Sequence, residues 1–242
     1  MVWRLFLSRP KANLLDKAMV EALTAEFVRA QGDAGVKAIL LEGEGANFSF
    51  GASVQEHLPD QCEAMLRAFH GLLRAMLAAS IPTVAVVRGQ CLGGGLELAA
   101  FCNRVIVSHD ARLGQPEITL GVFAPVASVI LAERMGRGGA EDLLLSGRSI
   151  DSTEALRLRL ADDRVADPAA SALTYVRTHI VPHSASSLRL AVRAARAGFS
   201  ERCLADLERA ETLYLRELMR TEDAVEGLKA FLEKRAPEWR DR

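Results

Sequence analysis

Three consecutive glycines, Gly93, Gly94 and Gly95, constrain this chain most, because of what stands on either side of them. The apolar run Thr83-Val-Ala-Val-Val87 reads as a buried strand and leads into Gly89. Leu96-Glu97-Leu98-Ala99-Ala100 reads as the start of a helix. Glycines between a strand and a helix permit positive φ and let a ligand approach bare backbone. The first N–H groups of the helix lack intrahelical acceptors and sit at the positive end of its dipole, so they attract negative charge. A carboxylate, Glu97, follows at once, and a second, Glu117, comes later in Gly114-Gln115-Pro116-Glu117. Two carboxylates beside free N–H groups are what proton transfer next to a developing oxyanion requires. Standing alone, the same stretch could be a tight turn followed by a surface glutamate that complements the helix dipole.

Composition narrows the class. A chain of 242 residues, 50% hydrophobic and 25% charged, suits one domain with a sizeable core and room for a helical appendage. A formal net charge of −1 gives no electrostatic case for nucleic acid or an acidic membrane. Cys62, Cys91, Cys102 and Cys203 show no CxxC spacing, which argues against a zinc site or a disulfide framework and fits a reducing cytoplasm. The N-terminal apolar run in MVWRLFLSRPK is too short for a signal peptide, and no stretch reaches the length of a membrane span. A soluble cytoplasmic protein is expected.

Strands are expected at Trp3–Leu7, Val36–Leu41, Thr83–Val87, Val105–Ser108 and Arg112–Gly114, with a short piece near Arg164-Val165. Helix is expected from Leu14 to Ala30. From Cys62 to Leu77 apolar residues at 62, 65, 66, 69, 72, 73, 76 and 77 form a one-sided stripe, hence a core-facing helix. Past Gly136 helices dominate: Ala140–Ser146, Ser152–Leu160, Ala169–Ile180, Ser184–Ala197, Cys203–Glu222 and Ala224–Lys234. His179 and His183 have i,i+4 spacing, but Pro182 lies between them and no third ligand is evident, so no metal is expected.

GQCLGGGLELA at Gly89–Ala99, followed by LGQPEITLG at Leu113–Gly121, resembles the signature of the crotonase (enoyl-CoA hydratase/isomerase) superfamily. Asn47-Phe-Ser-Phe-Gly-Ala-Ser-Val54 resembles that family's other half-site, usually written FxAGAD, and Arg9-Pro10-Lys11-Ala12-Asn13 its RPxxxN loop. The match runs through nearly the whole chain in the right order and spacing. It implies an α/β fold: a ββα spiral core over residues 1–185 that holds an acyl-CoA site, then a C-terminal helical oligomerisation region over 186–242. Relatives assemble as trimers that pair into hexamers, so a homo-trimer or homo-hexamer is implied.

By the same resemblance, the N–H groups of Ala52 and Gly94 form an oxyanion hole for the thioester oxygen. Glu97 and Glu117 match the family's two catalytic carboxylates. Glu97, near a helix N-terminus, is favoured as the ionised partner, and Glu117, between Pro116 and Ile118, as the protonated one. Relatives that only shift a double bond often keep one carboxylate; both point to hydration. Gly51, Ala52 and Ser53 are implied to line the coenzyme A path. Phe231 and Lys234 match a C-terminal position that reaches the nucleotide in relatives, and Lys11 is a phosphate candidate; for either lysine a solvated surface role fits equally well. Coenzyme A is part of the substrate, so no separate cofactor is implied.

Two departures bear on the substrate. Ser53 stands where the family usually has Asp, and Val122-Phe-Ala-Pro-Val-Ala-Ser128 replaces a PGxGGTQRL-like run. FSFGASVQEHLP, GVFAPVAS and AEDLLLSGRS together resemble the branch that hydrates cyclohexa-1,5-diene-1-carbonyl-CoA to 6-hydroxycyclohex-1-ene-1-carbonyl-CoA in anaerobic benzoyl-CoA degradation. Phe123 and Val126 are candidates to wall a flat acyl slot, and His57 either lines that slot or faces solvent. The rival readings are a generic enoyl-CoA hydratase or isomerase of fatty acid β-oxidation, a ring-opening hydrolase, a non-catalytic binding protein of this fold, and a Clp-type serine protease. The last lacks a nucleophile elbow: Gly51-Ala-Ser-Val-Gln55 has no second glycine.

Overall fold

The computed structural model describes residues 1–9 and 12–242. Strands are β1 (Val2–Leu7), β2 (Ala38–Gly43), β3 (Thr83–Val87), β4 (Gln90–Leu92), β5 (Arg104–Ser108), β6 (Arg112–Gly114), β7 (Ser149–Asp151) and β8 (Asp163–Val165). Helices are α1 (Lys17–Gly32), α2 (Cys62–Ala79), α3 (Gly94–Phe101), α4 (Pro125–Met135), α5 (Arg137–Ser146), α6 (Ser152–Arg157), α7 (Pro168–His179), α8 (Ala185–Arg216) and α9 (Glu222–Glu233).

The apolar runs of β2 and β3 are buried throughout except at Gly43, as strands covered on both faces must be. They lie inside a parallel five-stranded sheet of order β1-β2-β3-β5-β8. A second sheet, β4-β6-β7, runs beside it. Each successive turn of chain gives one strand to each sheet: β3 then β4, β5 then β6. This is the ββα spiral with a helical C-terminal part. An isolated bridge from Ser49 to Cys91 extends the small sheet toward the segment after β2.

The largest core cluster joins α1, α2, α3 and α4 to one face of the main sheet through residues such as Phe27, Leu72, Phe101 and Leu131. A smaller cluster packs Ala172 and Val176 of α7 on the other face. The long helix α8 sends Cys203 and Leu207 into the large cluster and Tyr214 into a third, with Met65, Leu66 and Val122. Its continuity departs from the expected break between Ala197 and Cys203. Gly198, inside that interval, costs a helix about 1 kcal/mol, and packing on α2 and α4 offsets that. No described helix is long and apolar enough to cross a membrane.

Candidate active site

α3 starts where the small sheet ends. Gly93 caps it at φ +51°, ψ −128°, a conformation open to glycine. Gly51, at φ +103°, lies against the same turn: a Cβ on it would meet the Leu92 carbonyl at 2.9 Å and the Gly94 nitrogen at 3.4 Å. The two glycine segments therefore lie backbone to backbone. A Cβ on Gly94 would stand 3.3 Å from the Ala52 nitrogen, and neither the Ala52 nor the Gly94 N–H has a backbone acceptor among the described residues outside the regular elements. The sequence-predicted oxyanion donors are thus adjacent and unengaged.

Beside them is a small cavity lined by Ala52, His57, Gly94, Glu97, Glu117 and Val126, with Met65, Leu66, Phe69, Ala124 and Pro125 as apolar wall. Its free volume of about 20 Å³ holds roughly one water molecule. The cavity brings together both predicted carboxylates, both predicted oxyanion donors, His57 and Val126. Phe123 is not among the lining residues. Its ring packs edge-on against Tyr214 at 5.3 Å, while Ala124, the extended N-cap of α4, lines the cavity in its place. Gly51 and Ser53 flank Ala52, and the Ser53 carbonyl accepts a hydrogen bond from His57 Nδ1 at 2.8 Å. Phe231 is 53% exposed and Lys234 is exposed at the end of α9, away from the cavity lining. Lys11 lies outside the described residues.

Glu97, 6% exposed, accepts a hydrogen bond from the Ala127 amide at 2.7 Å. Ala127 belongs to the first turn of α4, whose N-cap, Ala124, offers no side-chain acceptor. Burial pushes the Glu97 carboxyl up to about 7, against the amides of Ala127 and Val126, which favour its ionised form. Glu117 sits in the 3-10 helix Pro116–Leu120. Burial first, then the charge of Glu97, pushes it up to about 8. Gln115, buried beneath, donates to Glu117 Oε2 at 2.9 Å and Oε1 at 3.1 Å in the amide orientation that satisfies both groups. Sequence reasoning missed Gln115 and the cap on α4. Gln115 had a local signal, standing two residues before a carboxylate; the cap had none.

Carboxylates raised toward neutrality, side by side, share a proton over the pH range where water chemistry is carried out. Paired with two N–H donors, they are the groups that stabilising an enolate and exchanging protons with carbon and water require.

The comparisons agree with this class. The chain matches the enoyl-CoA hydratase/isomerase family over residues 1–242. It is 54% identical over 239 residues to cyclohexa-1,5-dienecarbonyl-CoA hydratase of Thauera aromatica, covering 99% of this chain and 93% of that one. A probable enoyl-CoA hydratase of Mycobacterium bovis is 36% identical, with 98% and 93% covered. Among solved structures, a putative enoyl-CoA hydratase from Mycobacterium avium paratuberculosis superposes with a TM-score of 0.88 at 27% identity, covering 98% of this chain and 94% of that one. The chain belongs to the enoyl-CoA hydratase/isomerase family. It is a hydro-lyase acting on enoyl-CoA-type thioesters.

Proposed function

We propose that the substrate is cyclohexa-1,5-diene-1-carbonyl-CoA and the product 6-hydroxycyclohex-1-ene-1-carbonyl-CoA, a step of anaerobic benzoyl-CoA breakdown. The observation that carries the reading is the apolar wall Ala124-Pro125-Val126 facing the carboxylate pair. It places side-chain bulk where the family pattern has glycines, and the relative at 54% identity carries the matching name.

The chemistry follows from the bonds. The oxygen of water adds to the ring carbon β to the thioester, and one carboxylate takes the proton that this oxygen loses. Negative charge spreads over the conjugated system to the thioester oxygen, where the N–H groups of Ala52 and Gly94 receive it. The other carboxylate gives a proton to the far end of the diene, para to the new hydroxyl, which leaves the remaining double bond conjugated. The pair begins and ends with one proton. Each such transfer contributes roughly 10²–10⁴-fold, and one oxyanion donor about 2.7–4 kcal/mol. The ring needs more than the present free volume, so the walls must part, and Met65, unbranched with several rotatable bonds, is the liner best suited to move. The thioester carries its own coenzyme and no separate cofactor enters.

Turnover in deuterium oxide tests the reading. Deuterium on the ring carbon para to the hydroxyl-bearing carbon is expected. Deuterium on the carbon that carries the thioester, or hydration of linear esters alone, would reduce the protein to a generic enoyl-CoA hydratase.

A further inference from the structure

His57 ends the 3-10 helix Val54–His57 and lines the same cavity as Glu97 and Glu117. Its Nδ1 lies 2.8 Å from the Ser53 carbonyl. A carbonyl only accepts, so Nδ1 carries the ring proton. Burial lowers the imidazole pKa below its usual value, with the Ser53 carbonyl a smaller opposing influence, and the ring is therefore neutral. Its second nitrogen, Nε2, is left with a lone pair and no hydrogen-bond partner among the described residues.

The other groups around the cavity do not duplicate this one. Ala52 and Gly94 offer N–H donors; Met65, Leu66, Phe69, Pro125 and Val126 offer carbon. Glu97 accepts from Ala127 through Oε1, Glu117 accepts from Gln115 through both oxygens, and the two carboxyls are the groups that move protons in the proposed hydration. Outside the proton-carrying carboxyl pair, Nε2 is the side-chain acceptor among the lining residues. An unsaturated acyl group has no donor to give it, since thioester and alkene carry none. A hydroxyl group does.

We infer that His57 is a specificity-determining residue whose Nε2 accepts a hydrogen bond from the hydroxyl formed by hydration, so that the site prefers hydroxylated acyl-CoA thioesters over their counterparts lacking the hydroxyl. The choice of a ring as the acyl group rests on the function proposed above; the acceptor role does not.

Binding equilibria test it, measured calorimetrically in a Glu97→Gln background that slows turnover by about 10²–10⁴-fold. The ligands are 6-hydroxycyclohex-1-ene-1-carbonyl-CoA and cyclohex-1-ene-1-carbonyl-CoA, which differ by the hydroxyl. His57→Met should weaken the hydroxylated ligand about five- to tenfold, the worth of one neutral hydrogen bond, and the other less than about twofold. His57→Gln, which keeps an acceptor, should recover most of that loss. Equal loss on both ligands, or loss on neither, would overturn the acceptor role. The linear pair 3-hydroxybutyryl-CoA and butyryl-CoA separates the two readings. A hydroxyl-dependent loss there, with no binding of either ring ligand, upholds the acceptor and overturns the ring.

Discussion

Glu97 Oε1 accepts the Ala127 amide proton across 2.7 Å, so a carboxylate of α3 closes the open first turn of α4. Two tasks fall on one side chain, and substitution separates them. Glu97→Gln retains an oxygen that can accept from Ala127, whereas Glu97→Ala leaves the helix uncapped. The alanine variant should unfold about 1 kcal/mol more easily than the glutamine variant, the usual worth of a cap. Both should lose turnover by about 10²–10⁴-fold. Urea denaturation with steady-state kinetics on the two variants checks this; equal stability of the two would contradict the capping role.

The pair also makes stability depend on pH. Glu97 is raised to about 7 and Glu117 to about 8, from an ordinary value of 4.5. Between those limits the folded protein holds more protons than the unfolded chain, so stability falls as pH rises through that window. The urea midpoint should therefore drop from about pH 5 to pH 8.5, and the double variant Glu97→Gln, Glu117→Gln should flatten that fall. An unchanged slope would show that the pair is not the source.

Catalysis should show the same pair as a bell. The proposed hydration uses one proton on the two carboxyls, so kcat/KM should peak between limbs near 7 and 8 that belong to the pair rather than to either residue. Replacing one glutamate should leave the residual activity with a single limb. A residual profile that keeps both limbs would assign them elsewhere.

Neighbouring glycines should fail in different ways. Gly93 has positive φ, and a Cβ there would stand 2.5 Å from Glu117 Oε1. Gly93→Ala should thus cost stability, on the order of 1 kcal/mol or more, as well as activity. Gly94 has no positive φ, and its Cβ would meet the Ala52 nitrogen at 3.3 Å. Gly94→Ala should melt close to the parent yet lose activity, because the methyl group crowds the Ala52 donor. Matched losses of stability in the two variants would contradict this.

What the sequence showed follows from the range of the chemistry involved. The glycine run before Glu97 and the carboxylate after Pro116 are local patterns, and the long apolar strands β2 and β3 need no partner to be recognised. β4 and β7, three residues each, carry too little alternation of their own to be read as strands; each exists because it pairs with β6. The link from Glu97 to Ala127 spans thirty positions and leaves no sequence trace. His57 had two readings from sequence, and its place in the cavity required the fold of the 3-10 helix Val54–His57. Phe123 looked like a wall because bulk was visible and direction was not; its ring faces Tyr214.

The proposed function has this site hydrate a flat ring in preference to a flexible chain. Apolar shape discriminates by about 1–3 kcal/mol per methylene-sized misfit, so a linear ester should be processed slowly rather than refused. The direct measurement is kcat/KM for cyclohexa-1,5-diene-1-carbonyl-CoA and for crotonyl-CoA on the same preparation. A ratio of about 10²-fold or more in favour of the ring is predicted; equal values, or a preference for crotonyl-CoA, would contradict the account.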